Sequence, residues 1–428
     1  MKFALVNPPW SFEGSIYFGC REPHMPLEYG YSKALLEREG HEVLCVDGQL
    51  EGLPLDAIRA RVAEFRPDFT AVCTAPSYLF WRCAPPELRI PRETVAALRA
   101  IGGLIVGVGP HCSTTPRAAL RKLDADVVVM GECEEILPRL TGSWADIGSI
   151  TCKRDGGVRV QGAPHAADMS TLPALEWPAD TIARHSHHHH RFDKMGPDPG
   201  AEMETSRGCP YACTFCAKEN YRDKYRKRPL QTILLELDGL IAAGIEYVYF
   251  IDEIFLPNRE LLEAVADRPV KFGIQTRIDL WKRDMIELLA DAGCVSIEAG
   301  VESITPEGRE WLDKRCRMST YDLADRLIYA KRRIPFVQAN LLEMPQDDRV
   351  EIEKWREYVI AQGVWANEPV PLFPYPGSPD YTRLWGPPDD LAWERAHEFY
   401  LNGYTKFSDI QEQRPEPLVQ LETGGDGR

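Results

Sequence analysis

Short apolar runs alternate with amphipathic helical stretches along this chain, twice over, with one break between residues 141 and 200. Strands separated by helices pair through crossovers rather than hairpins, which makes their sheets parallel. In the first series KFALV (2–6), HEVLCVD (41–47), DFTAVCTA (68–75), LIVGVGP (104–110) and DVVVMGE (126–132) read as strands. EYGYSKALLEREG (28–40) and LDAIRARVAEF (55–65) read as two of the helices between them. The fold class is α/β, with a doubly wound parallel sheet over residues 1–140. Ligands of such sheets sit at the strands' carboxyl ends, so NPPW, TAPSY, GPHCS and GECEE are the loops to inspect.

The second series starts at AEMETSRG (201–208) and runs through EYVYFID (246–252), KFGIQTR (271–277), CVSIEAG (294–300), FVQANLLEM (336–344) and VWANEPVPL (364–372). Six βα units over residues 201–385 fall short of the eight that close a barrel. They predict a partial (β/α)6 barrel with an open side. Residues 141–200, which contain Pro173, Pro178, Pro197 and Pro199, read as a linker with short strands near 150–160. Within it, His185 and His187 to His190 read as solvated linker or as cover for an inter-domain cleft, with metal binding as the alternative. Residues 386–428 read as an extension ending in a disordered polar tail.

The net charge of -15 and pI near 5.3 argue against a general nucleic-acid binder, whose phosphate contacts need basic excess. MKFALVNPPW lacks the long apolar core of a signal peptide, and no apolar stretch reaches the ~18 residues of a spanning helix. The expectation is a cytoplasmic chain away from membranes, with its twelve cysteines reduced. A tight group of cysteines there favours metal over disulfide.

Such a group exists in RGCPYACTFC (207–216). Cys209, Cys213 and Cys216 follow the first strand of the second series, at the barrel end where catalytic groups collect. Three thiolates leave one iron of a [4Fe–4S] cluster open, and an open position separates a reacting metal from a structural one. A zinc knuckle would need a fourth nearby ligand, and three structural thiols are the other alternative. C-x3-C-x2-C with Phe215 before the last cysteine resembles the signature of radical S-adenosylmethionine (SAM) enzymes. IDEIF (251–255), QTRID (275–279), IEAGVES (297–303) and YPGSPDY (375–381) resemble further segments of that family. The resemblance implies that SAM chelates the open iron and is cleaved to a 5′-deoxyadenosyl radical. It also implies Gly300, Glu302 and Ser303 as SAM contacts, with Arg277 next. The basic run YRDKYRKR (221–228) reads as a solvated face or as a holder of an anionic substrate or the SAM carboxylate; Arg226 stands where relatives also tend to carry Arg.

NPPW, GPHCS, GECEE and HMPLEYGYSKALLEREGHEV (24–43) resemble the cobalamin-binding domain fused to many radical SAM enzymes. That resemblance implies Pro8, Gly109, Pro110, His111, Gly131 and Glu132 along the corrin. Ser77, Tyr78 and Trp81 would cover its lower face or pack under their loop. His111 would hydrogen-bond the corrin periphery or the backbone rather than ligate cobalt. Cys133 stands where relatives carry Gly, and Cys112 lies beside the proposed corrin loop. The function implied is methylation of an unactivated carbon of a small molecule, sugar, lipid or peptide, with an external electron donor. The cofactors implied are a [4Fe–4S] cluster, SAM and cobalamin. A non-methylating rearrangement, cyclisation or oxidation, an empty N-terminal scaffold, and a non-catalytic sensor are the alternatives.

Overall fold

A computed structural model describes residues 1–16, 23–76, 84–154, 156–185, 200–220, 222, 224–403 and 415–423 of the chain. The N-terminal unit is a seven-stranded sheet built from β1 (Lys2–Asn7), β2 (Glu42–Asp47), β3 (Phe69–Cys73), β4 (Leu104–Val108), β5 (Val127–Val129), β6 (Ser149–Arg154) and β7 (Gly157–Gly162). Their order is β2-β1-β3-β4-β5-β6-β7, parallel through β5. Successive side chains of a strand face opposite sides, and both sides are buried here. Phe3, Leu5, Ala71 and Val106 pack with Tyr29 and Leu36 of helix Leu27–Arg38. Ala4, Val6, Val72 and Ile105 pack with Ile58 and Val62 of helix Leu55–Phe65. Helices on both faces make this the doubly wound sheet expected. β6 and β7, inside the expected linker, join its edge as an antiparallel ribbon.

The second unit is a six-stranded sheet that starts with β8 (Gly200–Met203). Two short strands, β9 (Ser206–Arg207) and β10 (Arg226–Lys227), form a separate antiparallel ribbon. The sheet continues through β11 (Tyr247–Phe250), β12 (Lys271–Thr276), β13 (Cys294–Glu302), β14 (Phe336–Leu341) and β15 (Trp365–Ala366). The order is β8-β11-β12-β13-β14-β15, every pair parallel. β8 and β15 are left as edges, so among the described residues this is an open, partial barrel. Met203, Phe250, Ile274, Ile297 and Val337 face the helices through Leu237, Leu262, Leu289, Leu327 and Val359. β15 is shorter than VWANEPVPL suggests, because Pro369 and Pro371 carry no amide hydrogen for a ladder; only the isolated bridge Leu342↔Val370 follows it.

The tail departs from the disorder expected of it. Helix Leu418–Thr423 docks on the N-terminal unit with Leu418 and Leu421 buried. Glu422 accepts from the Leu88 amide at 3.2 Å and from Lys122 Nζ at 3.3 Å. No described helix is long and apolar enough to cross a membrane.

Candidate active site

The cysteine loop hangs from the β9/β10 ribbon at the carboxyl end of β8, and six hydrogen bonds fix it. Gly208, at φ +77°, donates its amide to Glu253 Oε2 at 2.8 Å. Asp252, the other acid of IDEIF, accepts from the Thr205 amide (2.7 Å) and from the Thr205 and Ser206 hydroxyls (2.6 Å each). Burial pushes this carboxyl up to about 6 despite those hydrogen bonds. Within the loop, Thr214 donates its amide to Leu312 O at 2.9 Å and accepts at its carbonyl from the Asp380 amide at 2.9 Å. Asp380 belongs to YPGSPDY, so that segment latches onto the cysteine loop.

Cys209, Cys213 and Cys216 are in no disulfide, and each is half-buried. Burial pushes the Cys213 thiol up to about 11, while Lys314 and Arg277 pull it down. Cys209 is raised by burial too, against the Tyr211 amide, Lys218, Arg277 and Lys314. The surroundings are therefore cationic, which suits an assembly of several thiolates. Among the described residues no three His, Cys, Asp or Glu side chains converge as a single-ion site requires. Three thiolates at C-x3-C-x2-C spacing are a donor set that suits three irons of a [4Fe–4S] cluster with the fourth left open.

Arg277, Gly300 and Glu302 gather beside these cysteines. The Arg277 guanidinium lies over the Tyr211 ring at 4.0 Å and donates to both Asp279 oxygens at 3.2 and 2.9 Å. Its third nitrogen, Nη1, is buried with no hydrogen-bond partner, an orphan donor that needs an acceptor. Glu302 sits at φ +60° and pairs with Lys314. A Cβ on Gly300 would stand 2.6 Å from Glu302 Oε1, so only glycine leaves that carboxylate in place. Ser303 is committed elsewhere: its hydroxyl donates to Asp347 Oδ1 at 2.8 Å and fixes the turn after β13.

At the other sheet, Pro8 accepts from the Trp10 amide at 2.9 Å. Gly109 adopts φ 110°, ψ -167°, and Pro110 starts the short helix Pro110–Thr114. Ser113 Oγ links two of the loops, donating to Gly109 O and accepting from the Gly131 amide, both at 2.9 Å. His111 is buried, bonds Pro85 O through Nε2 at 2.8 Å and stacks on Trp393 with ring centres 4.0 Å apart. Burial lowers it to about 3. This is the backbone partner expected for it, and the Trp393 stack had no counterpart in the sequence reading. Cys112 is fully buried and held far up by burial, so it is an apolar thiol. Ser77, Tyr78 and Trp81 lie outside the described residues.

Gly131 makes a close approach at φ +85°, to the backbone of residue 165, where a Cβ would stand 2.2 Å from His165 O. Glu132 is turned inward, fully buried and bound by arginines. Those arginines come from the run read above as solvated or ligand-holding. Arg222, Arg226 and Arg228 instead pair with Glu253, Glu132 and Glu236. Arg207 and Glu134 complete the group and were not singled out from sequence; no local pattern marks ion pairs formed across ~70 residues. Of the histidine tract, only His185 is described. It is buried rather than solvated, with Nδ1 2.5 Å from Gly200 O and Nε2 3.8 Å from Glu202, which also pairs with His24.

The carboxyl ends of both sheets meet on one aromatic cluster. Phe12, Ala75 and Ala84 from the N-terminal loops pack with Phe373, Tyr381, Trp393 and Tyr400. The loops of the N-terminal sheet thus share a core with the segment after β15 and with helix Ala392–Gly403.

Comparison with known proteins agrees with this layout. Residues 203–359 match the family model described as the Radical SAM superfamily. An uncharacterized methyltransferase of Pyrococcus horikoshii is 24% identical over 90% of this chain and 82% of its own length. The anaerobic magnesium-protoporphyrin IX monomethyl ester cyclase of Cereibacter sphaeroides is 24% identical over 71% of this chain, which spans 50% of the cyclase. Among solved structures, the radical SAM methyltransferase TsrM of Kitasatospora setae, with cobalamin and a [4Fe–4S] cluster bound, has a TM-score of 0.69 at 20% identity. That match covers 89% of this chain and 76% of TsrM, and it establishes a common fold.

Proposed function

The chain is a radical SAM enzyme, and on that premise we propose that it is a cobalamin-dependent methyltransferase acting on an unactivated carbon of a small molecule. One observation carries the proposal: loops of the N-terminal sheet share an aromatic cluster with Phe373, after β15, and with Tyr381, whose neighbour Asp380 is hydrogen-bonded to Thr214 of the cysteine loop. Two cofactors in those two crevices would share a cavity shielded from water, as reactive radicals require. When bound, the cluster with SAM supplies a 5′-deoxyadenosyl radical, and cobalamin supplies a methyl group. Cys209, Cys213 and Cys216 hold three irons. Arg277, Gly300 and Glu302 receive SAM, with the orphan Arg277 Nη1 meeting an anionic oxygen. Pro8 and the loop Gly109–Pro110–His111 line the corrin crevice. An external donor delivers the electron.

The methyltransferase relatives support methyl transfer. The cyclase relative supports the second reading, the same cofactors running a reaction without methyl transfer. The test is anaerobic reconstitution with iron, sulfide and cobalamin, followed by SAM and dithionite. The proposal expects 5′-deoxyadenosine, with a corrin spectrum that survives desalting. Loss of the corrin from a chain that still cleaves SAM would make the N-terminal unit an empty scaffold, and no cleavage would leave a sensor.

A further inference from the structure

Glu132 and Glu134 leave the N-terminal sheet just after β5 and enter the base of the cysteine loop. Arg207, on β9 and two residues before Cys209, donates to Glu132 Oε2 at 3.2 Å and pairs with Glu134 at 2.6 Å. It also grips Glu204 through Nε at 2.9 Å and Nη2 at 2.6 Å. Arg226, on β10, holds Glu132 with both terminal nitrogens, at 2.9 and 2.5 Å, and donates to Ala167 O at 2.5 Å. Arg222, inside the loop, lies 3.3 Å from Glu132 and pairs with Glu253. Glu132 therefore touches both ends and the interior of segment 207–226. Arg207, Glu132 and Glu134 are fully buried. Burial would raise Glu132, but Arg207, Arg226 and Arg222 outweigh it and hold the carboxyl at about 2.

Buried ionic groups of this kind are a poor way to stabilise a fold, because their desolvation cost cancels much of the attraction. Apolar packing across the same boundary would hold the domains as well. What the charged group adds is direction: a bidentate carboxylate–guanidinium pair fixes distance and angle together. We propose that Glu132 is a positioning residue that registers the cluster-bearing loop against the N-terminal sheet, so that one buried ionic knot sets the separation of the two cofactor crevices. The cofactor consequence rests on the function proposed above; the fixing of the loop does not.

Hydrogen exchange by mass spectrometry on the full chain without cofactors tests it, comparing the native chain with Glu132→Gln and Arg226→Lys. Removing the shared carboxylate leaves Arg226 without its acidic partner, and Arg207 and Arg222 held only by Glu134, Glu204 and Glu253, so the Glu132→Gln amides of 205–228 exchange at least about tenfold faster while β1, β3, β12 and β13 stay within about twofold. Arg226→Lys, which keeps the charge but loses the fork, loosens the same segment by a smaller factor and covers the case in which Glu132→Gln does not fold. Unchanged exchange at 205–228, or uniform acceleration across both sheets, overturns the proposal. In the loaded protein, relaxation of cob(II)alamin by the reduced cluster reports their separation. Glu132→Gln broadens that distance distribution at native iron and corrin content; a native-like distribution overturns the cofactor consequence. If the native chain retains no corrin, the function proposed above fails while the exchange result still decides the knot.

Discussion

Replacing Gly208 by alanine probes the neck of the cysteine loop at one atom. Gly208 sits at φ +77°, and a Cβ there would lie 2.2 Å from Lys224 O and 2.8 Å from Arg222 O. An L-residue in the left-handed region costs about 1–2 kcal/mol. Driving a methyl group into backbone carbonyls that have no rotamer to yield adds about 1–3 kcal/mol. Gly244 separates the two contributions, since it has φ +91° and nothing within 4 Å of its would-be Cβ. Gly244→Ala carries only the conformational cost. Calorimetry of the chain without cofactors should show Gly208→Ala melting about 2–12 °C below Gly244→Ala, at about 2–4 °C per kcal/mol for a domain this size. After reconstitution Gly208→Ala should also bind less iron, because the displaced carbonyls lie in the segment that leads into β10 and closes the loop. Equal melting of the two variants, with full iron in both, would refute the claim that the neck is sterically set.

Gly300→Ala should raise the SAM dissociation constant of the reconstituted protein about tenfold, ~1.4 kcal/mol, while leaving the melt unchanged. The obstructed group is the flexible end of Glu302, so a native-like constant in equilibrium dialysis would remove Gly300 from the site. Cys213→Ala should cut reconstituted iron from the roughly four atoms of a full cluster to a small fraction, with native circular dichroism; retention of most of the iron would disprove its role as ligand. His111 gives a pH signature. Its folded value of about 3 lies below the ordinary 6.5 through burial, so between those values the unfolded chain holds the extra proton. Stability is lost as pH falls below about 6.5, by up to ~1.4 kcal/mol per pH unit from this group. His111→Phe keeps a ring against Trp393 and should flatten the fall in melting temperature between pH 6.5 and 5; parallel native and variant curves would contradict this.

Much of the architecture was legible because it rests on local pattern. The runs KFALV, LIVGVGP and KFGIQTR are buried on both faces, and their apolar continuity survives in any context. Ribbon β6/β7 was legible only as short strands near 150–160, because SITCKR and GVRVQG are short and carry Lys153, Arg154 and Arg159 among few apolar residues. For the site, the cysteine spacing identified the cluster loop, but side-chain destination was not legible. GECEE read as corrin-facing and YRDKYRKR as a solvated face or an anion holder, whereas Glu132 of the first pairs with Arg222 and Arg226 of the second. Such pairing depends on how two domains dock, which neither helical nor strand periodicity encodes. Lys314 and Trp393 escaped for the same reason, each meeting its partner only in the assembled fold.

The central claim is that one chain joins cluster chemistry to a cobalamin-borne methyl group. Reconstituted, cobalamin-loaded protein is incubated with SAM deuterated at the methyl group under strong reductant, and the protein-bound corrin is extracted for mass spectrometry. The account predicts a corrin carrying the intact trideuteromethyl group, with 5′-deoxyadenosine in the same sample. Unlabelled corrin beside abundant 5′-deoxyadenosine would contradict it and leave a radical enzyme that does not transfer methyl groups.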